Sequence, residues 1–161
     1  PVEEIVSMFG AILPSAQYAE ADYGLAVPDE FDATKQWPGL IHPVRDQLKC
    51  GSGLAFSTAG TFSDRLAIKT GGQTNVVLSP QYLISCDQDS KGCKGGGDPL
   101  TVWQNIFMNG ITTDACMPYT SGKDGQTGSC PTTCTNLTPI KTYKVSNPRC
   151  VSGEESIKQE I

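Results

Sequence analysis

Seven cysteines and a single histidine, His42, carry most of the nucleophilic and metal-binding capacity of this 161-residue chain. The stretch that bears most directly on chemistry is Gln47-Leu48-Lys49-Cys50-Gly51-Ser52-Gly53-Leu54-Ala55-Phe56-Ser57, a loop running straight into a helix. A thiol at a helix start is favoured as thiolate by the exposed amide N–H groups and the helix dipole, and it becomes a nucleophile when paired with a histidine. Here the helix start supplies the dipole and no thiol. Gly53 has no side chain with which to form a covalent intermediate, so the stretch taken alone reads as a structural turn into a helix. His42 precedes the helix and reads as a structural or surface histidine. The Asp and Glu residues are scattered and form no acid–base pair. Met8, Met108 and Met117 have no spacing that suggests a metal site. No cofactor or metal is expected.

The elements that would hold such a site must come from an ordinary globular composition, 38 % hydrophobic and 18 % charged. The length fits one domain or one and a half. A net charge of −5 without a Lys/Arg cluster argues against nucleic acid or an anionic membrane as partner. No apolar run approaches the roughly 20 residues of a membrane span. No signal peptide is legible, and the start at Pro1 leaves room for an upstream segment. The cysteines point to disulfides rather than zinc: the one short pair is Cys130-x-x-x-Cys134, far in sequence from His42. Disulfides imply an oxidising compartment. Asn136-Leu137-Thr138 is an N-glycosylation sequon and points the same way.

Periodicity gives the scaffold. Val2, Ile5, Val6 and Phe9 form a short helical stripe closed by Gly10, followed by a small, polar linker to about Ala26. Val27 to Pro38 reads as extended, with Phe31 and Trp37 anchoring on a core, and Leu40 to Val44 as a short strand or loop. The main helix runs from Gly53 to about Lys69, with Ser52 as N-cap and Leu54, Ala55, Ala59, Phe62 and Leu66 on its apolar face. Thr70-Gly71-Gly72 ends it. Ala55, Ala59 and Gly60 suggest close approach of another backbone. Ser79-Pro80 and Asp98-Pro99 are N-cap and first-turn proline pairs that start helices over 81–85 and 99–109. The second is expected to bury Leu100, Val102, Trp103, Ile106 and Phe107 and to end at Gly110. Cys116 to Pro139 is irregular, Thr142 to Val145 a short strand, and Gly153 to Ile161 a helix with Ser152 as cap.

These motifs, in this order, resemble a cathepsin B-like member of the papain family of cysteine peptidases. The resemblance is carried by Phe31-Asp32-Ala33 with Gln36-Trp37-Pro38; by Val44-Arg45-Asp46-Gln47, Cys50-Gly51-Ser52 and Ala55-Phe56-Ser57; by Leu78 to Asp87; by Gly92-Cys93-Lys94-Gly95-Gly96; and by Ile111-Thr112-Thr113 with Cys116-Met117-Pro118-Tyr119. It covers about Met8 to Ile161. In the family signature C-G-[SA]-C-[WY] the second Cys is the nucleophile. Gly53 stands at that position and Leu54 at the aromatic one. The resemblance implies an α+β, papain-like, disulfide-rich fold, with a complete helical (left) domain and only the first part of the β-barrel (right) domain. Residues 1–26 would be a prosegment remnant, with Met8-Phe9-Gly10 nearest the cleft, and residues 27–161 the peptidase-like domain. The catalytic His and its Asn partner, roughly 130–150 residues after the nucleophile, would fall beyond Ile161.

The resemblance also implies roles. Gln47 takes the oxyanion-hole position; where no oxyanion forms, its expected role is a hydrogen bond bracing the loop. Gly95 and Gly96 take the strand that pairs with a substrate backbone, a capacity that survives loss of the nucleophile, or else form a tight loop beside Cys93. The implied disulfides are Cys50–Cys93, Cys86–Cys130 and Cys116–Cys134, which makes Cys50 a poor substitute nucleophile and leaves Cys150 unpaired. The stretch Tyr119 to Cys134 has no His, so a carboxydipeptidase activity resting on an occluding-loop His pair is not supported.

The reading is a catalytically inactive homologue retained for binding or structure, in the secretory pathway, a lysosome-like compartment or outside the cell. Its expected partners are a protein or peptide in the cleft, its own prosegment, and another polypeptide covering the exposed domain face. The alternative is a fragment of a cysteine endopeptidase that hydrolyses peptide bonds in proteins. A disulfide-stapled domain without protease ancestry is a distant third.

Overall fold

The computed structural model describes Gly24 and residues 26–161. The expected stripe on Val2, Ile5, Val6 and Phe9, the Met8-Phe9-Gly10 segment and nearly all of the following linker lie outside the described residues. Five α-helices follow: α1 (Ala33–Gln36), α2 (Gly53–Lys69), α3 (Pro80–Cys86), α4 (Pro99–Met108) and α5 (Glu154–Glu160), with 3-10 turns at Gln88–Ser90 and Gly92–Lys94 between α3 and α4.

The core is a three-helix cluster around α2, which packs against α3 and α4. From α2 it takes Leu54, Ala55, Ala59 and Phe62; from α3, Leu83 and Ile84; from α4, Val102 and Ile106. Each fully buried Leu or Ile contributes about 1.5–3 kcal/mol, so this cluster dominates the stability of the described chain. Small Ala55 and Ala59 let the neighbours approach. Gly60 was expected to do the same and does not, since a Cβ there would meet nothing within 4 Å.

Helix ends follow capping chemistry where the backbone permits it. Ser79 Oγ accepts from Tyr82 N (3.0 Å) and Asp98 Oδ1 from Leu100 N (2.8 Å), each followed by Pro at the first helical position. The end of α2 is a Schellman motif. Gly71 N donates to Ile68 O and Gly72 N to Ala67 O, with φ of 57° and 82° at the two glycines. Ser52 departs from expectation. It holds the N-cap position of α2 but makes no side-chain cap bond, because its backbone (φ −115°, ψ 24°) is outside the extended region a capping side chain requires. Ser152 likewise does not cap α5; Gly153 takes that position without a side chain.

Other expectations are corrected by local geometry. The 27–38 stretch is not wholly extended: Asp32 accepts from Thr34 N at 3.0 Å and closes the single turn of α1. Phe31 is 48 % exposed and packs edge-on against half-buried Trp37, ring to ring at 5.4 Å, instead of entering the core. On α4 only Val102 and Ile106 are buried, and Phe107 is 46 % exposed.

The part expected to begin a β-barrel contains isolated antiparallel bridges among the described residues, Leu78 to Thr113, Ile111 to Tyr143 and Thr133 to Pro139. The strand expected over 142–145 is reduced to the Ile111–Tyr143 pair, bonded in both directions at 2.9 and 2.8 Å. Three disulfides, Cys50–Cys93, Cys86–Cys130 and Cys116–Cys134, staple the loops, and Cys150 is a free thiol. No described helix is long and apolar enough to cross a membrane.

Candidate functional site

The candidate site is the corner where the loop before α2 meets the loop after α3. The Cys50–Cys93 disulfide joins them covalently, and Gly51 N donates to Cys93 O at 3.0 Å. Gly53 is the first residue of α2, so the site sits on the amide end of a 17-residue helix.

Gln47 braces the loop. Its Oε1 accepts from Ser52 N at 2.9 Å and its backbone carbonyl accepts from Cys50 N at 3.3 Å. The Tyr119 hydroxyl also donates to Gln47 O and lies 3.3 Å from Ser52 Oγ. Burial, reinforced by the Asp46 carboxylate, raises the pKa of the Tyr119 phenol above its ordinary value, so it stays a neutral donor. The Tyr119 ring meets Phe56 edge-on at 4.7 Å, and the Arg45 guanidinium covers Phe56 at 5.3 Å. Gly53, Gln47, Arg45 and Phe56 line a shallow depression of about 480 Å³. A larger groove of about 690 Å³ lies on the other side of Arg45, between His42, Val76 and Asp114.

Among the described residues, no nucleophile with a paired base stands at this corner. Ser52 is 3 % exposed, and its hydroxyl donates back to Cys50 O. His42 is held elsewhere: its Nδ1 lies 2.7 Å from Asp64 Oδ1, which also accepts the His42 backbone amide. Cys150 is far in sequence from Gly53, and burial together with the Asp98 carboxylate raises its thiol pKa, the opposite of what activates a cysteine. Among the described residues no His, Cys, Asp and Glu group is arranged to hold a metal ion.

The glycine run completes the corner. Gly95 (φ 68°, ψ −173°) lies in a region that is essentially glycine-only, and Gly96 has φ 84°. An L-residue at Gly95 would cost about 1–3 kcal/mol in backbone strain.

Two residues that position the site were not assigned a role from sequence. One is Tyr119, legible only as part of a Pro-Tyr pair. The other is Gln81 on α3, 3 % exposed, whose Oε1 accepts from the Thr120 and Ser121 amides at 2.9 Å each. Its Nε2 donates to Ser121 Oγ at 2.7 Å. This pins the loop of residues 120–128 so that Gly122 O accepts from Lys49 N and Thr127 Oγ1 from Cys93 N. The loop thereby braces both sides of the corner. All these bonds span some 34 to 73 residues of sequence, and no local pattern announces them.

Comparison with known proteins places this geometry. The profile of the papain family cysteine protease matches residues 27–161. "Cathepsin B-like CP2" of Giardia intestinalis is 40 % identical over 134 residues, covering 83 % of this chain and 43 % of that protein. "Tubulointerstitial nephritis antigen-like" of Rattus norvegicus is 37 % identical over 138 residues, covering 81 % of this chain and 29 % of that protein. The solved structure of proCathepsin B S9 from Trypanosoma congolense superposes with a TM-score of 0.83 at 29 % identity, covering 98 % of this chain and 57 % of that one. The chain thus spans less than half the length of these two curated relatives. It belongs to the papain family of cysteine proteases, among its cathepsin B-like members.

Proposed function

We propose that this chain is a catalytically inactive cathepsin B-like homologue that keeps the family's cleft for binding a peptide or protein. The observation that carries this reading is Gly53 as the opening residue of α2, at the position the family signature gives to its nucleophile. Around it the loop, the Cys50–Cys93 staple and the glycine run are in place. Gln47 and Tyr119 then stabilise the loop, and Gly95 and Gly96 offer a backbone edge that an extended peptide can approach closely. Residues 1–26 are a retained prosegment remnant, a second polypeptide covers the exposed apolar face, and the chain resides in an oxidising secretory-type compartment.

The exposed apolar side chains beside the site support a covering polypeptide. Val44 is 101 % and Leu48 52 % exposed, on the same loop as Gln47. A monodisperse monomer in solution would overturn that part of the reading. The short coverage of the relatives favours a second reading, in which the chain is part of a cysteine endopeptidase. The complete reading frame separates the two: a downstream His-containing Gly-rich strand and an Asn-Ser-Trp-like motif would favour descent from an active enzyme. Labelling of a cysteine of this chain by a thiol-reactive epoxide, with loss of peptide hydrolysis by the native gene product, would sink the first.

A further inference from the structure

The turn at residues 133–139 has a geometry that bears on modification. Cys134 N donates to Thr138 O at 2.9 Å and Leu137 N to Cys134 O at 2.8 Å, closing a small loop stapled to the body by Cys116–Cys134. At its tip Asn136 is exposed, and Leu137 is 83 % exposed with φ 66°. Asn136 Oδ1 accepts both from Thr138 Oγ1 at 2.6 Å and from Thr138 N at 3.2 Å. Its Nδ2 makes no hydrogen bond among the described residues. The carbonyl oxygen of the amide is thus held by the protein, while the nitrogen, the atom that bears sugar in an N-linked glycan, is left to solvent. Asn136-Leu137-Thr138 is also the one Asn-x-Ser/Thr triplet in the chain.

We propose that Asn136 carries an N-linked glycan, and that the 133–139 tip therefore stays in solvent in any assembly this chain enters. Transfer joins Asn136 Nδ2 to the anomeric carbon of a lipid-diphosphate-linked oligosaccharide. One N–H bond and the bond from the anomeric carbon to the phosphate oxygen break, the N–C bond forms, the lipid diphosphate leaves, and the amide proton passes to a base of the transferase. A glycan at this tip covers Leu137 without straining the fold, since nothing packs over Nδ2. It also directs a covering polypeptide to another face, such as the one bearing Val44 and Leu48.

The test is expression of the full chain behind a cleavable secretory signal in a eukaryotic cell, with intact mass measured before and after peptide N-glycosidase on the whole-cell pool. A mass loss on digestion is expected for the native sequence and for Thr138→Ser, and none for Asn136→Gln or Thr138→Ala. The proposal is overturned if the native chain shows no mass loss while Cys116 and Cys134 are recovered as a disulfide-linked peptide pair, which reports arrival in the oxidising lumen. It is equally overturned if the mass loss survives Asn136→Gln.

Discussion

The corner around Gly53 and the tail from Lys141 to Ile161 are held by different forces. At the corner a disulfide, buried amides and the Gln81 network each fix a backbone group. The tail is held by bridge residues Tyr143 and Val151, by Tyr143 and Val145 at the edge of the core, and, at its end, by partly exposed ion pairs in which Glu160 bonds Arg65 of α2 at 3.0 Å and Arg149 at 2.7 Å. Buried polar bonds are costly to break because the orphaned group cannot return to water, whereas exposed ion pairs lose little when they open. The scaffold around Gly53 is therefore fixed by bonds within the described residues, while α5 at the end of the tail leans on the Arg65–Glu160 pair.

The largest effect should come from the staple. Replacing Cys50 and Cys93 by Ser removes a crosslink across 43 residues and should cost about 2–4 kcal/mol. A urea midpoint indistinguishable from that of the native chain would show that the corner does not need it. Next comes Gln81→Leu, close in size but without acceptors for the Thr120 and Ser121 amides. A loss of about 1–3 kcal/mol is expected, with amide exchange accelerated over residues 120–128 and unchanged in α4. Tyr119→Phe removes one hydroxyl and keeps the contact with Phe56, for about 1 kcal/mol. At the small end, Arg65→Ala should cost under about 1 kcal/mol, read as faster exchange in α5 alone. Equal losses for Gln81→Leu and Arg65→Ala would erase the contrast between the two regions.

Acidity separates the regions further. Asp87 is 3 % exposed, its Oδ2 has no hydrogen-bond partner, and its Oδ1 accepts from Asn105 Nδ2 at 3.1 Å. Burial, aided by the Asp89 charge, raises its pKa. Its contribution to stability is therefore complete below the ordinary carboxylate value of about 3.9 and is lost as pH rises through the folded-state value. Glu160 runs the other way. Burial opposes ionisation, but the hydrogen bond from Arg149 and the charge of Arg65 outweigh it, and the pKa is lowered. Its contribution is present above about 4.3 and is lost as pH falls through the folded-state value. Mild acid should thus tighten α3 and α4 relative to α5 in amide protection factors. Asp87→Asn should flatten the first trend, and a trend unchanged in that variant would remove Asp87 as its cause.

Much of the helical scaffold was legible because its signals are local. Ser79-Pro80 and Asp98-Pro99 carry both the cap and the pre-set φ of the first turn, and Gly71-Gly72 supplies the left-handed termination of α2. The candidate site was legible as a motif and not as a geometry. Ser52 has the right residue type for a cap, yet the tight loop to Cys50 turns its backbone out of the capping region. Phe31 and Phe107 are apolar and exposed, so residue type alone misplaced them. Gln81 and Tyr119 act across the fold, through partners 39 and 72 residues away, where periodicity carries no information.

Under the proposed reading, the corner at Gly53 keeps the family's scaffold without its thiol chemistry. The most direct measurement is treatment of the complete native gene product with a peptidyl epoxide, followed by peptide mapping and a peptide hydrolysis assay. No adduct on the peptide spanning residues 47–57 and no epoxide-sensitive hydrolysis are expected under this reading. A stoichiometric adduct on this chain that abolishes peptide hydrolysis would contradict it.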